Sequence, residues 1–167
     1  MKTLVVYYSM SGNTEYVAKS ISDKLNADII KLIPKKEYPN KGLKKFLWGG
    51  KSAIMGELPE LETYEFEDSK YDLIIFGTPV WASSFTPPIR TFINDNKEKI
   101  SGKKFAIFTC FMGGGADKAI EKLKKYLRIE KFEAELILID PKDNKESEKE
   151  NKINEFCSKL SNITKGE

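Results

Sequence analysis

Leu4-Val5-Val6-Tyr7-Tyr8, followed by Ser9-Met10-Ser11-Gly12-Asn13-Thr14, decides how this chain is read. The first five residues are a continuous apolar run rich in strand formers, as expected of a central parallel strand covered on both faces. Beyond Glu15, residues Val17, Ala18, Ile21 and Leu25 recur at helical spacing. The six residues between are therefore a strand-to-helix loop. Such a loop gathers backbone N–H groups, the hydroxyls of Ser9, Ser11 and Thr14 and the amide of Asn13 beside the positive end of the next helix's dipole. Gly12 allows close backbone approach to an oxyanion and a positive φ. A plain polar turn with a helix N-cap fits the same composition, but the position straight after the first strand favours an anion cradle. The loop has no lysine, and neither GxxxxGK[ST] nor GxGxxG is present. Neutral donors of this kind suit a phosphate monoester.

The remaining composition narrows the field. At 167 residues the chain fits one domain, residues 1–167, with a sizeable core. A net charge of +3, with lysines interspersed among glutamates, gives no reason to expect nucleic acid. Histidine is absent, which removes His-based triads, His-ligated metals and His general bases together. Cys110 and Cys157 lie in apolar patterns without CxxC spacing, so a reducing compartment is expected, with both thiols structural. No long apolar segment marks a signal peptide or membrane span, and a cytoplasmic protein is the expectation.

In chain order, Asp28 to Ile33 reads as an edge strand stopped by Pro34. Between Pro34 and Tyr71 one interrupted helix is expected around Leu43, Phe46, Leu47 and Ile54, with Trp48-Gly49-Gly50 as a bend. Lys41, Lys44, Lys45 and Lys51 fit either a solvated face or a surface for an acidic partner. Leu73 to Gly77 is a second buried strand, emptying into Thr78-Pro79-Val80-Trp81. Loops after the first and third strands of an open α/β sheet face one crevice. A tryptophan there either caps the core or stacks on a planar ring, and the neighbouring cradle favours stacking. Pro88 suits a helix start, with Ile89, Phe92 and Ile93 as its buried stripe. Phe105 to Cys110 is the fourth strand, running into Phe111-Met112-Gly113-Gly114-Gly115, where consecutive glycines bring backbone N–H groups up to a flat ligand. A helix with Ala119, Ile120, Leu123 and Leu127 follows, then Leu136 to Ile139 as a fifth strand. The closing helix, from Asn151 to Ser161, carries Ile153, Phe156, Cys157 and Leu160, with the Lys/Glu-rich segment before it as its solvated start.

Ser9-Met10-Ser11-Gly12-Asn13-Thr14 resembles the phosphate loop of the flavodoxins, [ST]-x-[ST]-G-x-[ST], and Gly77-Thr78-Pro79-Val80-Trp81 with Pro87 to Phe92 resembles their flavin loop. The resemblance runs along nearly the whole chain and, with an uninterrupted fifth strand, points to the short-chain class. It implies noncovalent FMN, its phosphate held by Ser9 to Thr14 and its ring by Thr78, Pro79, Val80, Trp81, Cys110, Phe111, Met112, Gly113 and Gly114. The basic balance departs from the acidic composition usual in such carriers.

The alternation as a whole gives an α/β three-layer doubly wound sandwich, a five-stranded parallel sheet of order 2-1-3-4-5 with helices on both faces. The expected function is that of a flavodoxin-type electron-transfer protein meeting redox partner proteins, as a monomer or weak homodimer. An NAD(P)H-dependent FMN oxidoreductase acting on a quinone or flavin is the alternative, and a flavin-free phosphate-binding module a weaker one. Where many flavodoxins have glycine after the aromatic, this chain has Ala82. A peptide flip needing positive φ there costs on the order of 1 kcal/mol, so weaker stabilisation of one-electron-reduced flavin is expected.

Overall fold

The structure, a computed structural model, describes residues 1–38, 42–111, 113–139, 141 and 146–165. Five parallel strands, β1 (Thr3–Tyr7), β2 (Asp28–Lys31), β3 (Leu73–Pro79), β4 (Lys104–Phe111) and β5 (Glu135–Ile139), lie in the order β2-β1-β3-β4-β5. The connections carry helices α1 (Asn13–Leu25), α2 (Gly42–Met55), α3 (Pro87–Asp95) and α4 (Ala116–Leu127), and α5 (Glu146–Lys165) closes the chain. This is the expected doubly wound sheet, with strand order reversing between β1 and β3.

Alternation along the strands divides the core. Val5, Ile75 and Phe108 face α1 and α5, packing on Val17, Ile21, Ile153 and Phe156. Leu4, Ile74, Phe76 and Ile107 face the other way, onto Ile89, Phe92 and Leu123 of α3 and α4. Both faces of the central strands are thus dry, which is why they read as continuous apolar runs. Gly77 lies opposite Phe108 in the β3–β4 register, and a Cβ added at Gly77 would stand 2.2 Å from Phe108 Cζ. The glycine is the space the ring occupies.

Besides shifts of one or two residues at other strand ends, β2, α2 and α5 differ from the sequence reading. β2 ends at Lys31, although Leu32 N–H still donates to Tyr7 O at 2.8 Å. Pro34 then pairs antiparallel with Leu61, drawing the chain off the sheet edge. α2 runs unbroken through Trp48-Gly49-Gly50, so no bend forms there. α5 begins at Glu146, ahead of the expected Asn151. Lys149, in the stretch read as a solvated start, is buried, with its Nζ 4.5 Å from the Tyr16 ring centroid. Its long aliphatic stem and the cation–π contact account for that burial.

Candidate functional site

Beyond the carboxyl ends of β1, β3 and β4 lies a cavity of about 330 Å³, at the lower end of the roughly 300–1,000 Å³ usual for small-molecule sites. Its wall combines Met10, Ser11, Asn13 and Thr14 from the first loop, Pro79, Val80 and Trp81 from the second, and Cys110, Phe111, Gly113 and Gly114 from the third. Three stretches far apart in sequence therefore converge. No charged side chain lines the cavity among the described residues.

The first loop is built around Gly12. Its φ of 88° turns the chain into α1, its N–H donates to Ser9 Oγ at 3.1 Å, and its carbonyl accepts the Tyr16 N–H at 3.0 Å. No side chain caps α1. The opening N–H groups of a helix need acceptors, and here they stand beside Ser11 and Thr14 at the cavity wall. Ser9 and Gly12 are absent from the wall itself; their contribution is to shape the loop. Glu15, in the first turn of α1, pairs with Lys19 and Lys31, each Nζ 2.9 Å from a carboxylate oxygen. Hydrogen bonds from these lysines, Lys31 foremost, hold its carboxyl down to about 2 from the ordinary 4.5. The pairs balance a negative charge close to the anion cradle.

The second loop is braced from behind. Thr78 is fully buried and points away from the cavity: its hydroxyl lies 3.0 Å from Thr86 Oγ1 and accepts the Thr86 N–H at 3.1 Å. It braces the loop and is absent from the cavity wall. Val80 N–H donates to Cys110 O at 3.1 Å, which locks the second loop to the third. Trp81 and Ser84 exchange two backbone hydrogen bonds of 2.9 Å each, and Ala82 and Ser83 between them have φ of 48° and 54°. These are features of a type I′ turn, which ordinarily selects Asn-Gly. The turn packs on Gly115, where an added Cβ would meet Ser83 Oγ at 2.3 Å.

Trp81 sits in an aromatic group that the sequence did not reveal. Its ring meets Tyr8 edge-on at 5.6 Å and Tyr38 at 5.1 Å. Burial pushes the Tyr8 phenol well above its ordinary range, with Tyr38 and Glu37 adding to the shift, so it stays neutral. The other side of the indole lies on the α2 backbone, where a Cβ at Gly49 would be 3.1 Å from Trp81 Cε3. Gly50 and Ala82 also line the cavity. The signal for this contact was the Gly49-Gly50 pair itself, since each glycine costs a helix interior about 1 kcal/mol and calls for a compensating reason.

The third loop leaves β4 after Phe111, and Cys110, the strand residue before it, is buried at the cavity wall. Met112 lies outside the described residues, as does the Lys41 position. Gly114 and Gly115 take φ of 132° and 84°, and Gly115 serves as the N-cap of α4 without a side-chain cap. Cys157 packs in the α1/α5 core, where burial pushes its thiol up to about 11. It is an inert core residue.

The sequence profile described as Flavodoxin matches residues 2–153. The chain belongs to the flavodoxin family. Solved structures agree with this flavodoxin assignment at the level of fold. A flavoprotein of Lactobacillus acidophilus NCFM, in complex with FMN, is 22% identical, with a TM-score of 0.69 over 85% of this chain and 95% of that one. A flavoprotein of Bacteroides eggerthii is 19% identical, with a TM-score of 0.72 over 93% and 97%. The two-electron reduced flavodoxin of Megasphaera elsdenii is 19% identical, with a TM-score of 0.55 over 94% and 98%. Among the described residues no helix is long and apolar enough to cross a membrane.

Proposed function

We propose that the chain binds FMN noncovalently in this cavity and exchanges electrons with partner proteins. The observation that carries the reading is the meeting, at one cavity, of an uncapped helix N-terminus with neutral hydroxyl donors and an aromatic, glycine-lined slot. The first matches a phosphate monoester and the second a flat ring. Bound flavin supplies the one- and two-electron redox chemistry; the protein supplies binding, orientation and local polarity.

In this reading the α1 N–H groups with Ser11, Asn13 and Thr14 hold the phosphate. Trp81 flanks the ring from the second loop, and Cys110, Gly113 and Gly114 flank it from the third. The Val80–Cys110 hydrogen bond keeps the two ring-binding loops at fixed separation. Among the described residues the wall carries no carboxylate, which would disfavour an anionic form of the reduced ring.

Reconstitution with FMN followed by anaerobic reductive titration tests the proposal. Retention of FMN, with a long-wavelength absorption band rising midway and then fading, is expected of a carrier. Direct bleaching, together with NADPH turnover on a quinone, would favour the alternative of an FMN-dependent reductase. Failure to retain FMN would sink the site assignment.

A further inference from the structure

We infer that Ser52 and Glu57 are positioning residues for the flavin: with Tyr38 they form a hydrogen-bonded relay from the end of α2 that fixes the Trp81 indole at the cavity wall. The inference deepens the FMN reading above and rests on it. Ser52 is 2% exposed and follows, by two residues, the Gly50 of that wall. Its hydroxyl lies 3.4 Å from the Tyr38 phenol oxygen and donates to Glu57 Oε2. A serine has one hydroxyl hydrogen, and a carboxylate can only accept. Ser52 therefore gives its hydrogen to Glu57, and the Tyr38 phenol gives its own to Ser52. Burial pushes that phenol above its ordinary range, with Ser52 opposing the shift and Glu57 adding to it, so the donor stays protonated.

The end of α2 aims the relay. Gly56 leaves the helix with φ of 66°, and the Glu57 N–H returns to Ser52 O at 3.2 Å. A left-handed glycine at a helix end folds the next residue back on the last turn in this way. Backbone and carboxylate of Glu57 thus reach the same residue. Tyr38 carries the constraint onward, since its ring meets Trp81 edge-on at 5.1 Å and Tyr8 at 6.2 Å. The α2 backbone at Gly49 holds the indole from its other side. Trp81 is therefore fixed between a helix and a ring hydrogen-bonded to that same helix. A close-packed inward position needs only a small side chain, as the buried Ala53 beside it shows. A serine inside a helix ordinarily turns its hydroxyl to solvent or to its own backbone, so packing leaves the outward-reaching Ser52 hydroxyl unexplained and the relay accounts for it.

Near-ultraviolet circular dichroism of the apo-protein reads the indole without flavin, the Trp81 signal being the difference between wild type and Trp81→Phe. Titrations with FMN and with riboflavin, followed by flavin fluorescence, read ring binding with and without the phosphate. Ser52→Ala and Tyr38→Phe each remove one hydroxyl and keep the helix and the ring. Each is expected to diminish the Trp81 signal and to weaken FMN and riboflavin by the same factor, about two- to tenfold. The double variant should lose no more than the worse single one, because either change opens the relay. Glu57→Gln, whose amide oxygen still accepts the Ser52 hydroxyl, should match the wild type, whereas Glu57→Ala should weaken both flavins severalfold.

Unchanged flavin affinity in Ser52→Ala and Tyr38→Phe, additive losses in the double variant, or a loss in Glu57→Gln as large as in Glu57→Ala would overturn the inference. A loss confined to FMN would overturn it too, and place the effect at the phosphate. Failure of the FMN reading shows separately: the wild type then binds neither flavin, while the apo-protein signal still reports whether the relay holds the indole.

Discussion

Thr109 shows how a single residue can sit at odds with its surroundings. It is fully buried in β4, beside Thr78 in the register, yet its hydroxyl has no hydrogen-bond partner among the described residues. A buried polar group without a partner costs about 1–3 kcal/mol. Thr109→Val keeps the shape and removes the orphan, so urea denaturation should show a gain of about 1 kcal/mol. Glu15 is the opposite case, since two lysines satisfy it. Its folded pKa lies below the ordinary value, so the stability it contributes is complete above about pH 4.5 and disappears as pH falls through about 2. The pairs face solvent, with the Lys19 and Lys31 side chains 64% and 43% exposed, and solvent screening reduces the contribution to about 0.5–1 kcal/mol. Glu15→Gln should lose that amount at pH 7 and match the wild type near pH 2. At this scale the sequence exposed Gly12 and Trp81 through residue type, while Thr78, expected at the ring, is buried and hydrogen-bonded to Thr86 outside the cavity wall. Its strand position alone could not say which way its hydroxyl would find a partner.

At the scale of elements, the Trp81–Ser84 turn and α2 govern the site. Ala82 and Ser83 both hold left-handed φ, so the strain that the sequence assigned to a redox-linked flip is already present in the folded turn. Turning over the central peptide would convert it toward a type II′ turn, whose first central position is nearly glycine-only. Ala82→Gly should therefore raise apo-protein stability by about 1 kcal/mol. It should also increase the yield of the long-wavelength band during FMN reduction; an unchanged yield would remove this account of weak one-electron stabilisation. In α2, Gly49→Ala gains helix propensity of about 1 kcal/mol but forces the new Cβ onto the indole. FMN affinity is expected to fall at least severalfold, read by quenching of flavin fluorescence, even if thermal stability rises. The helix was legible from its spacing, its continuity was not. Glycines that look like a bend instead leave room for a side chain from another loop.

For the whole molecule, the three loops form one site only because β1, β3 and β4 lie side by side in the sheet. A ligand that binds the folded chain alone must stabilise all of it. FMN at about a hundred times its dissociation constant should add about 2.7 kcal/mol, and inorganic phosphate at the same concentration far less. Equal thermal shifts from the two would mean that the ring-binding half of the cavity contributes nothing. Apolar runs, helical stripes and the position of glycine- and hydroxyl-rich loops at strand ends determined the α/β class and pointed to the three loops of the cavity wall, while the strand order followed from that class together with the flavodoxin resemblance. Each of those signals is written in contiguous residues, because burial period and turn chemistry are local. Tertiary structure alone decided that Tyr8 and Tyr38 join Trp81, that Gly50 completes the wall, and that α2 turns Ile54 and Met55 outward. Those outcomes depend on which distant segments come into contact and how closely their backbones approach, and no local pattern specifies that.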